Sequence, residues 1–273
     1  MFLIACYVAA PAQQPKTAER ASLRTSALKI NVDHMDTALA FYVDKLGFEI
    51  ADRNGYPRQV ILKTGDRVKV ILNMVARLQK AATTESQVSF TLQVNNLDQT
   101  IQKMRSLGVE FAKAKPRREG VGNAISILDP FGRIVSLMHQ TSVRAEPFKE
   151  PRIYNYGVLI PDMAIGREFY STRLGFIVRS EKYLPLDLPL GNEDNSLAFM
   201  LHYRPGITSI KKDQFGVSPF ATMVFETSDL QGATRMMNKA NIKVLAINKS
   251  TQGPTVVFED PFGNVSELIE IGK

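Results

Sequence analysis

The sequence predicts an α+β protein built as two tandem modules, each made of two βαβββ units. Three observations carry that prediction. Phe41-Tyr42-Val43-Asp44-Lys45-Leu46-Gly47-Phe48 recurs as Phe169-Tyr170-Ser171-Thr172-Arg173-Leu174-Gly175-Phe176, 128 positions later. Asp129-Pro130-Phe131-Gly132 recurs as Asp260-Pro261-Phe262-Gly263, 131 positions later. Between them, Asn96-Leu97-Asp98 and Asp229-Leu230-Gln231 open comparable helical stretches, with the leucines 133 apart. Three anchors held in order at nearly one offset mark a duplication.

The elements follow in chain order. A helix is expected from about Asp36, whose carboxylate suits an N-cap. Leu39, Tyr42, Val43 and Leu46 then make one apolar face, and Gly47 ends it, because a left-handed C′ residue costs least without a β-carbon. The second copy uses Ile165, Phe169, Tyr170 and Leu174, stopped by Gly175. Strands to about Met74 complete the first unit. Val88–Val94, a helix from Asp98 to Leu107 stopped at Gly108, and strands through Met138 make the second. The third runs from Ile153–Ile160 through a helix to about Tyr203, and the fourth from Phe220–Thr227 through a helix over Leu230–Ala240 to the end. Both Asp-Pro-Phe-Gly segments have type I turn chemistry and lie between extended runs, so they read as hairpins. The modules span residues 24–140 and 153–273, joined by a charged, Pro-bearing connector at 141–152.

At 273 residues, 44% apolar and 22% charged, the composition is that of a globular protein with two domains. No apolar run approaches the ~18–20 residues that span a bilayer. The net charge of +7 sits in the first half: residues 1–145 hold 20 Lys/Arg against 12 Asp/Glu. Lys113, Lys115, Arg117 and Arg118 concentrate it locally. Such a cluster suits an anionic partner or a solvated strand edge. The edge reading is preferred over nucleic acid, since no nucleic-acid motif accompanies the charge. Cys6 is the only cysteine, which excludes an intrachain disulfide and any cysteine-based zinc site. Residues 1–23 stand outside the fold. Their apolar run FLIACYVAA and the Ala10-Pro11-Ala12 triplet resemble the end of an export signal, and Leu3-Ile4-Ala5-Cys6 resembles a lipid-attachment box, but the basic first region of a signal is missing. Periplasmic export, lipid anchoring through Cys6 and a plain frayed terminus of a cytoplasmic protein all stay open.

The fourfold βαβββ pattern, FYxxxLGF closing the first helix and DPFG before the last strand together resemble the vicinal oxygen chelate superfamily, the glyoxalase, bleomycin-resistance and extradiol-dioxygenase group. The resemblance covers residues 24–270. It implies glyoxalase-like modules, the four units forming two curled sheets around cavities. In many members a cavity holds a divalent metal, bound by side chains of the opening strands and a Glu of a closing strand. Carried over to this sequence, the opening-strand positions are Ala27, Ser89, Asn155 and Thr222, and the closing-strand positions are Ser136 and Glu267. Module one, with Ala27, Ser89 and Ser136, lacks normal metal ligands; module two offers one carboxylate beside two neutral polar groups.

Three histidines remain. His34 precedes a helix cap and reads as a surface residue. His139 is out of phase with Ser136 in the two-residue strand period and should face away from the cavity. His202, in the expected strand Leu197–Tyr203, is the one left for an inward side chain; the sequence does not fix its face, and a packed or exposed histidine is the preferred reading. No nucleophile elbow, P-loop, Rossmann fingerprint or H-E-x-x-H helix occurs. Tyr183–Gly191 reads as an apolar Pro-punctuated loop and Arg204–Pro219 as a long mixed one, each suited to binding or to packing on the other module. The preferred expectation is a small organic molecule bound in a module-two cavity by Asn155, Thr222, Glu267 and His202, with no metal or other cofactor required. The alternative is an enzyme, a lyase, isomerase or dioxygenase, using iron, manganese, nickel or zinc on Glu267 and His202. Monomer and homodimer are both compatible with the sequence.

Overall fold

The computed structural model describes residues 23–64, 68–78, 87–119, 121–141, 147–192, 194, 196–210, 220–250 and 253–271. Cys6 and the rest of the signal-like segment lie outside the described residues, as does the 211–219 part of the Arg204–Pro219 segment. No helix among the described residues is long and apolar enough to cross a membrane.

Four units follow one another. The first has β1 (Arg24–Val32), α1 (Met35–Leu39), β2 (Glu49–Asp52), β3 (Gln59–Thr64) and β4 (Val68–Met74). The second has β5 (Gln87–Gln93), α2 (Leu97–Ser106), β6 (Arg117–Glu119), β7 (Gly122–Leu128) and β8 (Ile134–Gln140). The third has β9 (Arg152–Ile160), α3 (Met163–Arg167), β10 (Ile177–Val178), β11 (Asp187–Gly191) and β12 (Leu197–Tyr203). The fourth has β13 (Ala221–Thr227), α4 (Leu230–Lys239), β14 (Lys243–Ser250), β15 (Gly253–Glu259) and β16 (Val265–Glu270).

These strands form two eight-stranded mixed sheets, β14-β15-β16-β13-β1-β4-β3-β2 and β10-β11-β12-β9-β5-β8-β7-β6. The opening strands pair antiparallel at the centre of each, β1 with β13 and β5 with β9. Unit one therefore shares a sheet with unit four, and unit two with unit three. The bowl expected inside module two is instead built across the connector. The repeat could not show this, because every unit presents a similar free edge on its opening strand. Strands β8 and β9, which precede and follow the connector, flank β5 on either side.

The sheets pack through one face each. Phe199 on β12 meets Phe225 on β13 at 5.9 Å between ring centres, and Phe48 meets Phe90 at 6.3 Å. Strand alternation sends the opposite residues, among them Lys29, Ser89, Asn155, His202 and Glu267, to the outward faces.

The helix openings correct one detail. His34, exposed as expected, is itself the cap of α1, its Nδ1 accepting from the Thr37 amide; Asp36 sits in the first turn and accepts from Tyr56. Residues Ala40–Lys45 and Glu168–Arg173 then widen into π-turns. The wider turn rotates Phe41 and Tyr42, and likewise Phe169 and Tyr170, so that both neighbours are buried. Ile165, expected on that face, is exposed.

The π-turns explain why the two repeated motifs travel together. The Tyr42 hydroxyl donates to Asp129 at 2.8 Å, and Tyr170 donates to Asp260 at 2.8 Å, each bond fully buried. The helix of one unit is thereby tied to the hairpin turn of the next. In the first copy Arg133 adds a positive partner to Asp129. In the second that position is Asn264, a neutral donor. Burial then outweighs the hydrogen bonds from Asn264 and Tyr170 and pushes the Asp260 carboxyl above its ordinary value of 3.8.

A pH dependence follows. The folded state favours protonated Asp260, so this contribution is full below 3.8 and is lost as pH rises through the raised folded value. Asp260→Asn stays neutral throughout. Urea midpoints of both proteins, taken from about pH 3.5 to about pH 7, should show the wild type losing ground to the variant as pH rises. Parallel curves would refute the assignment.

Candidate functional site

The outward face of the second sheet carries the candidate site. Four short polar side chains lie in register across its floor: Ser126 on β7 opposes Ser136 on β8, Ser136 opposes Thr91 on β5, and Thr91 opposes Asn155 on β9. Small residues in one row leave volume above them. The space is a cavity of about 930 Å³, walled by apolar side chains including Ile134, Met138, Leu159 and Met200. That size suits a ligand of organic-molecule dimensions.

A β-bulge shapes one wall. The register of β9 on β5 skips Tyr154, so Tyr154 and Asn155 both reach the cavity. Burial raises the Tyr154 phenol above its usual pKa, with Tyr183 nearby reinforcing the shift. Asn155 is buried; among the described residues its amide nitrogen meets the Met200 sulfur at 3.8 Å and its Oδ1 has no hydrogen-bond partner. A buried amide left short of partners is a position that a ligand donor would satisfy.

His202 completes the far wall. Its Nδ1 lies 2.7 Å from Asp187 Oδ1, and Arg204 stands 3.8 Å from the same oxygen. The carboxylate accepts a hydrogen bond from Nδ1 and so fixes the ring's orientation. The imidazole rests over Gly157: a β-carbon at 157 would fall 2.7 Å from Cδ2 and 2.8 Å from Nε2, with Ser89 Oγ at 3.2 Å. Glycine is there for space, since the imidazole edge and the Ser89 hydroxyl both border it. Asp187 and Pro189 come from β11, inside the segment expected to be a loop. His139 behaves as its strand phase requires, turning from the cavity to the Val94 carbonyl.

The four sequence-nominated residues thus part company. Asn155 and His202 line this cavity. Thr222 and Glu267 lie on the outward face of the other sheet, where Thr222 opposes Lys29 and the Lys29 ammonium pairs with the Glu267 carboxylate. Since the sheets meet through their other faces, the two pairs cannot converge on one ligand. Lys29 was overlooked, although it lies two residues beyond Ala27 and so shares its face.

A family model of the glyoxalase/bleomycin resistance protein/dioxygenase superfamily matches residues 24–137 and 152–268. The chain belongs to that superfamily. Its fold is similar to glyoxalase I from Zea mays, with a TM-score of 0.70, 18% identity, and coverage of 91% of this chain and 92% of that one. It is also similar to a putative dioxygenase from Bacillus subtilis subsp. subtilis str. 168, with a TM-score of 0.63, 12% identity, and coverage of 92% and 86%. Identities this low speak for the fold alone. No curated protein matches the sequence.

The superfamily's chelating positions can be tested against the residues that fill them. In the cavity they are Ser89, Ser136 and Asn155, neutral oxygen donors, while the neighbouring carboxylate of Asp187 is engaged by His202 and Arg204. In the other bowl they are Ala27, Thr222 and Glu267, with an ammonium already on the glutamate. Neither set fits a divalent transition metal, which takes imidazole, thiolate or unengaged carboxylate. Among the described residues no group of three or more His, Cys, Asp or Glu is placed to hold an ion.

Proposed function

We propose that this superfamily member binds a small organic molecule in the cavity shared by units two and three, with no metal required. The observation that carries the reading is the buried Asn155 amide, short of partners at the end of a neutral polar floor beneath about 930 Å³ of space. Asn155, Ser89 and Ser136 supply hydrogen bonds. His202, oriented by Asp187, offers its other ring nitrogen, Nε2, as a further hydrogen-bonding group. Apolar walls bury the ligand body. Lys29 and Glu267 form a structural ion pair in the other bowl, beside Thr222.

The alternative, a divalent-metal lyase, isomerase or dioxygenase, differs in metal content. Elemental analysis of protein purified without chelators should find iron, manganese, nickel and zinc well below one equivalent. Near-stoichiometric metal that survives dialysis, and is lost in Glu267→Ala, would establish the alternative instead.

A further inference from the structure

We infer that the cavity between units two and three takes an organic anion: an apolar body with one acidic group, seated against Lys113, Lys115 and Arg117. The inference deepens the ligand-binding reading and rests on it. Four cationic side chains line the cavity, Lys113, Lys115, Arg117 and Arg204, against two carboxylates, Glu119 and Asp187. Both carboxylates are already engaged, Glu119 by Arg117 at 2.5 Å and Asp187 by His202 and Arg204. Among the described residues no acidic side chain pairs with Lys113 or Lys115. A cationic ligand would meet carboxylates that already have partners. An anionic one meets surplus positive charge.

Arg117 gives that charge a fixed place. It lies on the edge strand β6, where alternation sends Arg117 and Glu119 to the cavity and Arg118 away from its lining. From there its Nη1 donates to Ser126 Oγ at 3.0 Å, the first residue of the polar floor row. The guanidinium is therefore braced by Ser126 and Glu119 at the same end as the two lysines. Asn155 stands at the opposite end of the row, and apolar side chains wall the volume between. That layout, Lys113 and Lys115 without carboxylate partners at one end, apolar walls between, and at the other end a neutral amide beside the already paired Asp187, specifies an amphiphilic acid. Carboxylate, sulfonate and phosphate share the required chemistry.

Two dyes with the same rings test the point. 8-Anilinonaphthalene-1-sulfonate carries an acid that N-phenyl-1-naphthylamine lacks. In low-salt buffer the wild-type chain should bind the sulfonate about ten-fold more tightly, as expected of two or three partly exposed ion contacts. The gap should shrink as salt screens them. Lys113→Ala/Lys115→Ala and Arg117→Ala should each weaken the sulfonate about three- to ten-fold, leaving the neutral dye unchanged. Equal affinities for the two dyes, or charge variants that alter neither, would overturn the anion inference while the cavity reading stands. Failure of both dyes to bind, or sulfonate binding that persists with the cavity filled by Ser136→Trp, would overturn both.

Discussion

Asp129→Ala should lower the unfolding free energy by about 3–5 kcal/mol, the loss expected when one partner of a buried ion pair is removed. Asp129 accepts from the Tyr42 hydroxyl and the Arg133 Nε on one oxygen. Its other oxygen accepts from the amides of Phe131 and Arg133 and so closes the hairpin turn. Alanine removes all four bonds together and leaves Arg133, a residue only 5% exposed, without its counter-charge. Arg133 cannot swing out to water, because Nη1 is held by the carbonyls of Asn31 and Phe220 and the group lies 4.5 Å from the Phe220 ring. Tyr42→Phe removes only one of these bonds, from a neutral donor to the carboxylate, and should cost less, about 1.5–3 kcal/mol. Urea denaturation of the three proteins gives the ranking. An Asp129→Ala loss no larger than that of Tyr42→Phe would mean that the turn is not the tie between units one and two.

The second large effect is functional. Ser136→Trp should abolish ligand binding, at least a hundred-fold by titration (about 2.7 kcal/mol), with little change in stability. Ser136 sits in the middle of the floor row, between Ser126 and Thr91, and points into open volume. An indole there occupies the ligand's space without displacing a core side chain, since the core neighbours Val135 and Leu137 face the other way. A variant that unfolds would not count. One that keeps the wild-type urea midpoint and still binds would remove Ser136 from the site.

The duplicated pattern was legible because its anchors have local causes. Gly47 and Gly175 take positive φ where the helices end, and Asp129 and Asp260 close turns with their own side chains. Strand phase turned His139 away, as its contact with the Val94 carbonyl bears out, but it did not fix the face of His202. What depended on non-local pairing could not be read. Nothing in four similar opening strands says that β1 takes β13 and β5 takes β9, so Thr222 and Glu267 were grouped with Asn155 and His202. Strand β11 was hidden by Pro189, which donates no hydrogen bond and reads as a loop residue; its carbonyl still accepts from Arg179. Asp187 was missed with it. The basic run was recognised, and β6 does lie at a sheet edge, but its approach to the Ser126 end of the cavity is a matter of sheet curvature. Lys29 carried a usable signal, a cation two residues from a chelating position.

The account's central claim is that a metal-independent cavity between units two and three receives the ligand. Its most direct measurement is a fluorescence titration with N-phenyl-1-naphthylamine, on wild type and Ser136→Trp, after exhaustive dialysis against chelator. The account predicts one saturable site in the chelated wild type and none in the variant. Binding that vanishes on chelation and returns with added metal, or that is unchanged in Ser136→Trp, would contradict it.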